Sequence, residues 1–439
     1  MSATSSPGFL RLLTSSGLSN LADGVLKTAL PLVALRYTTS PALIAGLALA
    51  STLPWLVVAL PAGAYADRWD RRRTMLISNT VRAGVLGGVA VLALTGFGSI
   101  WWLFAAALLV GTAEVFYDTT AQSILPMIVP RDDLQKANGR LMAVELTMNS
   151  FVGPPLGGVV AAAGVALAFG APAGLWVLAV AVLLALRGVF RVERTVKTSL
   201  RTDVAEGLRF LWQRPVLRTL AAMVGASNLA WTAAFSLFVL WAVGPESTLK
   251  LSEPGFGVLL TTLAVGSVLG SMVASWVADH VGRTAVLAAS MVMNAVAVAT
   301  PLLTTNVWAI GAIFALVGFG IAMWNVVTVS LRQRLTPDRL LGRLNSAYRL
   351  LAWGTMPLGA ALGGALGEAF GIRTVFVVST AVCLALLAGI PMLTPRRLAA
   401  AEAQFEHDEA AGPGSGEGEP ATSEPDVDSS GVTSDEPAR

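Results

Sequence analysis

Two sets of polar residues, all but one of them ionisable, lie inside long apolar stretches of this 439-residue chain. One set is Asn20, Asp23 and Lys27, and the other is Glu114 and Asp118. Spacings of three or four residues place the members of each set on one face of a helix. Two carboxylates on one face repel each other when both are ionised, so either Glu114 or Asp118 is expected to hold a proton near neutral pH. Asp23 and Lys27 can also simply neutralise each other. The pattern indicates chemistry in which protons are bound and released.

Ionisable residues in other apolar stretches extend this set. Arg82, Glu145 and Arg349 each interrupt a stretch that is otherwise largely apolar. An ionisable group inside a membrane is costly and tends to mark a path for an ion or a substrate. The candidate residues for proton coupling and for a surrounding cavity are Asn20, Asp23, Lys27, Glu114, Glu145 and Arg349.

The apolar stretches have the length of membrane-spanning helices. Hydrophobic residues make up 54% of the chain and charged residues 13%, with a mean hydropathy of +0.67. A helix needs about 20 mostly apolar residues to cross a bilayer. We predict an all-α membrane protein with twelve transmembrane helices in two six-helix bundles. The predicted spans are 12–36, 41–64, 74–96, 100–124, 140–165, 170–190, 217–243, 255–277, 285–304, 307–330, 345–368 and 373–394.

The two halves of the chain repeat each other, which makes the predicted bundles pseudo-symmetric. A repeat of membrane-length segments is typical of secondary transporters, in which the substrate path lies between the repeats. Three short segments of the first half recur in the second half in the same order: residues 19–22 (SNLA) as 227–230, residues 66–67 (AD) as 278–279, and residues 153–158 (GPPLGG) as 359–364 (GAALGG).

The basic residues predict the orientation of the chain in the membrane. A net charge of +3 and a pI near 9.3 are compatible with nucleic-acid binding, but Lys and Arg concentrate in alternate loops. This bias places both termini in the cytoplasm. We therefore expect a multi-pass protein of the plasma (inner) membrane, surrounded by lipid and without a nucleic-acid partner.

The loop after the second predicted span carries a motif. Residues 63–73 read GAYADRWDRRR, and residues 275–283 hold a weaker copy. The loop resembles the cytoplasmic signature G-x-x-x-D-R-x-x-R-R of the major facilitator superfamily, except that Asp70 stands where that family usually has Gly. The resemblance extends over residues 10 to 395.

This motif is predicted to act as a gate. Asp67 can cap a helix of the other half, most plausibly the eleventh span, because carboxylates are stabilised at helix N-termini. Arg71 can pair with Asp118, and both contacts would break when the gate opens. The arginines can alternatively serve only to fix topology, which we prefer for Arg72 and Arg73. The gate-motif candidates are Gly63, Asp67, Arg68, Arg71, Asp118, Asp279 and Arg283.

Three further segments narrow the resemblance. Residues 118–140 and 206–218 look like the drug-exporter branch of the superfamily that includes macrolide efflux proteins and the enterobactin exporter. GPPLGG is similar to the antiporter signature G-P-x-x-G-G of that family, although Asn149 stands where the signature has another Gly. The resemblance implies that the first, fourth, seventh and tenth spans line the cavity, and it alone supplies the direction of transport. The antiporter-motif residues are Gly153, Pro154, Gly157 and Gly158.

The two halves differ in the residues that they offer to a cavity. Asp23 aligns with Trp231 and Lys27 with Phe235 in the repeat, so the first half holds titratable groups where the second holds aromatic ones. Aromatic area suits an organic substrate, although Trp residues also anchor proteins at membrane interfaces. The candidate substrate-cavity residues in the second half are Trp231, Phe235, Trp324 and Asn325.

The chain is predicted to consist of four regions. Residues 1–190 and 217–395 form the two bundles, and residues 191–216 form a cytoplasmic linker. Helical spacing of apolar residues in the linker predicts a helix on the membrane surface, with its arginines near anionic head groups. Residues 396–439 are predicted to be a disordered acidic tail in the cytoplasm.

These observations favour a monomeric secondary transporter. It would export amphipathic organic molecules by proton antiport with alternating access, with the proton gradient as its energy source and no cofactor. A passive facilitator or an importer of a small nutrient is the alternative. We do not expect an enzyme, because the sequence shows no nucleophile–base or metal-binding pattern. The sole cysteine, Cys383, allows no internal disulfide.

Overall fold

The computed structural model describes residues 6–58, 62, 69–188, 190 and 200–410, and these residues are almost entirely helical. A 3₁₀ segment, Leu386–Leu393, continues the last apolar helix. In chain order the α-helices are α1 Pro7–Ala34, α2 Pro41–Val57, α3 Arg71–Leu94, α4 Ile100–Ile124, α5 Leu134–Leu146, α6 Gly153–Ala163, α7 Val165–Leu184, α8 Leu200–Gln213, α9 Pro215–Ala242, α10 Glu253–Val281, α11 Arg283–Leu303, α12 Val307–Arg334, α13 Asp338–Phe370, α14 Ile372–Ala385 and α15 Pro395–Ala410.

The length and apolar composition of the helices confirm the predicted helical membrane fold. Among the described residues, nine helices are long and apolar enough to cross a membrane. Three of the twelve predicted spans depart from that criterion. Helix α2 has 17 residues, α1 carries the polar groups Asn20, Asp23 and Lys27, and the fifth span is divided between α5 and α6.

The division of the fifth span has a local cause. A π-helical turn, Thr147–Val152, joins α5 to α6, and the Gly153 N–H donates to the carbonyl of Met148. Pro154 and Pro155 follow at once and have no N–H, so they cannot bond to the carbonyls of the preceding turn. A π turn inside an α-helix frequently marks a functional site.

Equivalent helices make equivalent contacts in the two halves. In the first half α1 packs against α6 and α7, and in the second half α9 packs against α13 and α14. The halves meet in two places that the repeat also relates, α2 against α13 and α6 against α10. The two bundles therefore surround a central space that both of them line.

Two surface helices cover one end of the second half. Helix α8 lies in the predicted linker and packs against the start of α13, where Arg343 pairs with Glu206. Helix α15 is held by Glu402, which accepts from Arg283 at 2.6 Å and lies 3.9 Å from Arg334. The prediction of a disordered tail from residue 396 is therefore wrong as far as Ala410, since apolar residues such as Leu398 bury one face of this helix. Residues 411–439 lie outside the described part of the chain.

Glycines allow α10 and α12 to pack backbone to backbone. A Cβ atom on Gly266 would lie 1.7 Å from the carbonyl oxygen of Ala315, and one on Gly318 would lie 2.0 Å from that of Leu263. Small residues at a helix contact let the backbones approach closely, which is a main source of packing energy in a membrane.

We expect Gly266→Ala to lower the thermal midpoint of the detergent-solubilised protein. The added methyl group must displace α12, at a cost of about 1–3 kcal/mol. Gly88→Ala in α3 is the matched control, because no atom lies within 4 Å of a Cβ at that position. Equal midpoints for the two variants would show that the α10–α12 contact is not tight.

Candidate functional site

A cavity of about 740 Å³ lies between the two halves. The first half contributes α1, α2, α3, α4 and α5, and the second contributes α9, α10 and α13. Asp118, which was predicted as a gate residue, also lies in the lining. The predicted coupling and substrate residues that line the cavity are Asn20, Asp23, Lys27, Glu114, Glu145, Trp231, Phe235 and Arg349.

The second half departs from the prediction at the tenth span. No described residue of α12 lines the cavity, and α13 takes that place instead. Trp324 is buried in an apolar cluster with Leu217 and Leu344, and Asn325 is exposed on the surface of α12. Placing Trp324 and Asn325 in the cavity was therefore wrong. The reason is the tight contact of α12 with α10, which holds α12 behind the cavity wall.

Asp23 is paired with a buried arginine from another helix. The Arg82 guanidinium lies 3.3 Å from the Asp23 carboxylate and is 0% exposed. It also lies 5.1 Å from the ring of Tyr117 and 5.3 Å from that of Trp176. Asp23 thus neutralises Arg82 of α3 rather than Lys27 of its own helix.

Lys27 is instead paired with Glu114 across the cavity wall. Its ammonium nitrogen lies 3.4 Å from a carboxylate oxygen of Glu114, and more than half of the Lys27 side chain stays exposed. One turn further along α4, Asp118 makes no ion pair or hydrogen bond within the described ranges. The two ion pairs therefore leave Asp118 as a carboxylate without a counter-ion beside Glu114.

The predicted pairing of Arg71 with Asp118 is wrong. Arg71 Nε donates to Ser123 Oγ at 2.9 Å, and its Nη1 lies 2.8 Å from Met127 Sδ. The cause is the position of Arg71 at the first residue of α3, opposite the end of α4 and away from the cavity. Asp70, which replaces the usual glycine of the motif, caps α3 and accepts from the N–H of Phe190 at 2.9 Å.

The remaining gate residues divide into two groups. In the second half, Arg283 binds Glu402 of α15, and Asp279 is exposed near the end of α10. The predictions for Gly63, Asp67 and Arg68 fall outside the described residues.

A neutral pair in the second half corresponds to Arg82 and its neighbour Ser19. Asn294 follows Arg82 by 212 residues, the same interval that separates Asp67 from Asp279. Asn294 Nδ2 donates to Ser227 Oγ at 2.9 Å. The candidate residues predicted from the sequence omit Arg82, although the change from Arg82 to Asn294 along the repeat is the same kind of signal that marks Asp23 and Lys27.

The described residues of the two halves close one end of the cavity. We call the end that carries both described chain termini the terminal face, and the end formed by residues 35–40 and 243–252 the far face. Near the far face, Ser40 Oγ at the start of α2 donates to the Glu368 carboxylate of α13 at 2.7 Å, and the lining residues Val239 and Phe256 are buried. The cavity is closed at the far face.

The antiporter motif supplies part of this closure. A Cβ on Gly153 would lie 2.6 Å from the backbone of Gly24, and one on Gly157 would lie 2.6 Å from the carbonyl oxygen of Val25. These contacts hold α6 against α1 within the first half.

The next glycine of the motif joins the two halves. A Cβ on Gly158 would lie 2.4 Å from the carbonyl oxygen of Glu253, and one on Gly257 would lie 2.2 Å from that of Pro154. Beside them, Arg36 pairs with the Glu253 carboxylate at 3.3 Å. The motif therefore seals α6 against α10 at the far face.

Aromatic residues of both halves form the apolar part of the lining. Trp231 and Phe235 of α9 stack with their ring centroids 5.0 Å apart. Trp55 of α2 meets Trp353 of α13 edge to face at 5.1 Å. A planar apolar molecule would find ring surfaces on both sides of the cavity.

Removing the charge of Asp23 should destabilise the fold. Asp23→Ala leaves the buried Arg82 guanidinium without a counter-ion, and breaking such a pair costs about 3–5 kcal/mol. The double variant Asp23→Leu with Arg82→Met should recover most of the loss in thermal midpoint. A double variant no more stable than the single one would mean that the ion pair is not what Asp23 contributes.

Filling Gly158 should open the far face. Gly158→Val requires α6 and α10 to separate, so the distance between spin labels at Thr39 and Thr248, in a Cys383→Ser background, should lengthen. Gly174→Val is the control, because no atom lies within 4 Å of a Cβ there. The idea fails if electron–electron double resonance gives the same distance distribution for both variants.

Comparison with known proteins agrees with this architecture. The chain is 29% identical to the multidrug efflux pump Tap of Mycolicibacterium fortuitum over 90% of this chain and 98% of that protein. It is 26% identical to the enterobactin exporter EntS of Salmonella typhimurium over 82% of this chain and 86% of that protein.

Solved structures share the fold at low identity. A variant of the nucleoside transporter NupG superposes with a TM-score of 0.74 at 14% identity, over 88% of this chain and 100% of that one. A bacterial homologue of ferroportin in an inward-facing state gives 0.66 at 15% identity, over 87% and 97%. The family described as transmembrane secretion effector, of the major facilitator (MFS) type, matches residues 4–413. This protein therefore belongs to the transmembrane secretion effector family of major facilitator transporters.

Proposed function

We propose that this protein exports amphipathic organic molecules by proton antiport with alternating access. The observation that carries the proposal is the division of the cavity wall. Carboxylates and their ion pairs lie on the first half, while Trp231, Phe235 and Trp353 lie on the second. The names of Tap and EntS describe those proteins as exporters, which supports the outward direction for this chain.

The proposed orientation makes this conformation inward-facing. With both termini in the cytoplasm, the terminal face is the inner face and the open cavity loads substrate from the cytoplasm. The rocking of the two halves would then open the far face and close the terminal face around the bound molecule. A proton shifts this equilibrium only if it binds the two conformations with different affinity.

Asp118 is the proposed proton-binding group in the inward-facing conformation. Asp23 is neutralised by Arg82 and Glu114 by Lys27, so both can stay ionised. An ionised Asp118 would face the charge of Glu114 without a counter-ion of its own, and a proton relieves that repulsion. Glu114, whose partner Lys27 is more than half exposed, is the second acid that would exchange a proton.

Asp118→Asn should abolish uphill efflux while leaving the protein folded, because no described contact of Asp118 holds the structure. We expect at least about a hundredfold loss of proton-driven transport in inverted vesicles, the lower end of the effect that a lost proton-transfer group produces. Glu114→Gln should also lose uphill transport. Asp132→Asn, an exposed acid in the loop before α5, is the control.

Two results would overturn parts of this proposal. Full proton-driven transport by Asp118→Asn would remove the coupling role of that residue. Unchanged accumulation by the wild type after an uncoupler collapses the gradient would favour the alternative, a passive facilitator. Asp23→Asn is a less decisive test than the sequence suggests, because that change also leaves the buried Arg82 charge without a counter-ion.

A further inference from the structure

The charged residues of the cavity divide into paired and unpaired groups. Asp23 and Lys27 have partners at 3.3 and 3.4 Å. Within the described part of the chain, Asp118, Glu145 and Arg349 make no ion pair at all. The unpaired acids belong to the first half and the unpaired guanidinium to the second, so the empty space between them separates charges of opposite sign.

The surroundings of Arg349 suit a residue that binds a ligand better than one that stabilises the fold. Its side chain is exposed in the cavity, and its guanidinium lies over the ring of Trp353 at 4.5 Å. Trp353 in turn meets Trp55 of the opposite half at 5.1 Å. A guanidinium held by an indole face can still donate its N–H groups, and no hydrogen bond within the described residues uses those of Arg349.

The chemistry of this guanidinium selects an acidic group. A guanidinium binds a carboxylate through two parallel charge-assisted hydrogen bonds, and a neutral ester or amide cannot reproduce that arrangement. The neighbouring indoles favour a carboxylate that is attached to, or close to, an aromatic ring. Lys27 does not compete for this group because Glu114 already neutralises it.

We propose that Arg349 and Trp353 form a subsite for the acidic group of the substrate. The basic group of the same molecule lies toward Asp118 or Glu145, so the preferred substrates are aromatic zwitterions. This assignment rests on the proposed export function, because it specifies the substrate class of the same cavity. It also gives the bound proton a competitor, since a substrate ammonium group and a proton neutralise the same acids.

Binding to purified full-length protein tests the subsite without any gradient. The probes are norfloxacin, which carries an aryl carboxylate and a protonated amine, its methyl ester, which lacks the carboxylate, and N-acetylnorfloxacin, which lacks the amine. Equilibrium dialysis gives the dissociation constant of each. We expect norfloxacin to bind about tenfold more tightly than the ester, with the N-acetyl compound between them, the difference that one charge-assisted contact makes.

Variants distinguish the loss of this subsite from a general loss of ligand binding. Arg349→Gln should weaken norfloxacin about tenfold and leave the ester unchanged, so that the two bind alike. Arg349→Lys should restore part of the preference, because an ammonium group keeps the charge but loses the fork. Arg373→Gln, an exposed arginine at the start of α14, is the control and should behave as wild type.

Three results would overturn the subsite. They are equal binding of norfloxacin and its ester by the wild type, equal weakening of both by Arg349→Gln, and no binding of norfloxacin at about 1 mM, a concentration that detects even weak ligands. None of them touches the export proposal, which is decided by uphill transport and its sensitivity to an uncoupler.

Discussion

The cost of placing charge inside a membrane governs the arrangement of the first half. Arg82 is fully buried, and such a group persists only if a counter-ion and further contacts compensate its lost hydration. Asp23 supplies the charge, and Tyr117 and Trp176 supply ring faces. Because Arg82 stands on α3 and Asp23 on α1, this requirement fixes two cavity helices relative to each other.

The repeat separates what the two halves share from what they do not. The glycines of the antiporter motif have counterparts that make the same kind of contact: a Cβ on Gly359 would lie 2.3 Å from the Leu229 carbonyl oxygen, and one on Gly363 would lie 2.5 Å from that of Ala233. Charge does not follow the repeat, because Asn294 stands where the first half has Arg82. The scaffold is therefore symmetric and the chemistry is not.

Sequence reasoning succeeded where one helix carries the whole signal. Apolar length predicted the helical membrane fold, helical spacing indicated Asp23 and Lys27, and the repeat added Trp231 and Phe235; all four residues line the cavity. It failed where the answer depends on how helices pack. Periodicity says which residues share a face, but not which neighbour that face meets, so Trp324 was assigned to the cavity.

Composition misled the prediction at the C-terminal end for a related reason. The acidic residues after residue 396 suggested a disordered tail, yet Glu402 binds Arg283 at 2.6 Å and the helix that carries it packs against the second half. A charge that finds a fixed partner on a neighbouring helix stabilises structure, whereas the same charge in water favours disorder. Nothing in the local sequence distinguishes these two cases.

The location of each ion pair fits the movement that alternating access would require. The Asp23–Arg82 pair is buried and lies inside one half, so rocking of the halves leaves it intact. The Arg36–Glu253 pair joins the two halves at the far face, and both of its side chains are partly exposed.

Exposed ion pairs contribute about 0–1 kcal/mol, because water replaces the partner when they separate. A closure made of such pairs and of glycine contacts can open at low cost, whereas breaking a buried pair would cost several times as much. Strong charge interactions within a half and weak ones between halves are what a two-state transporter needs.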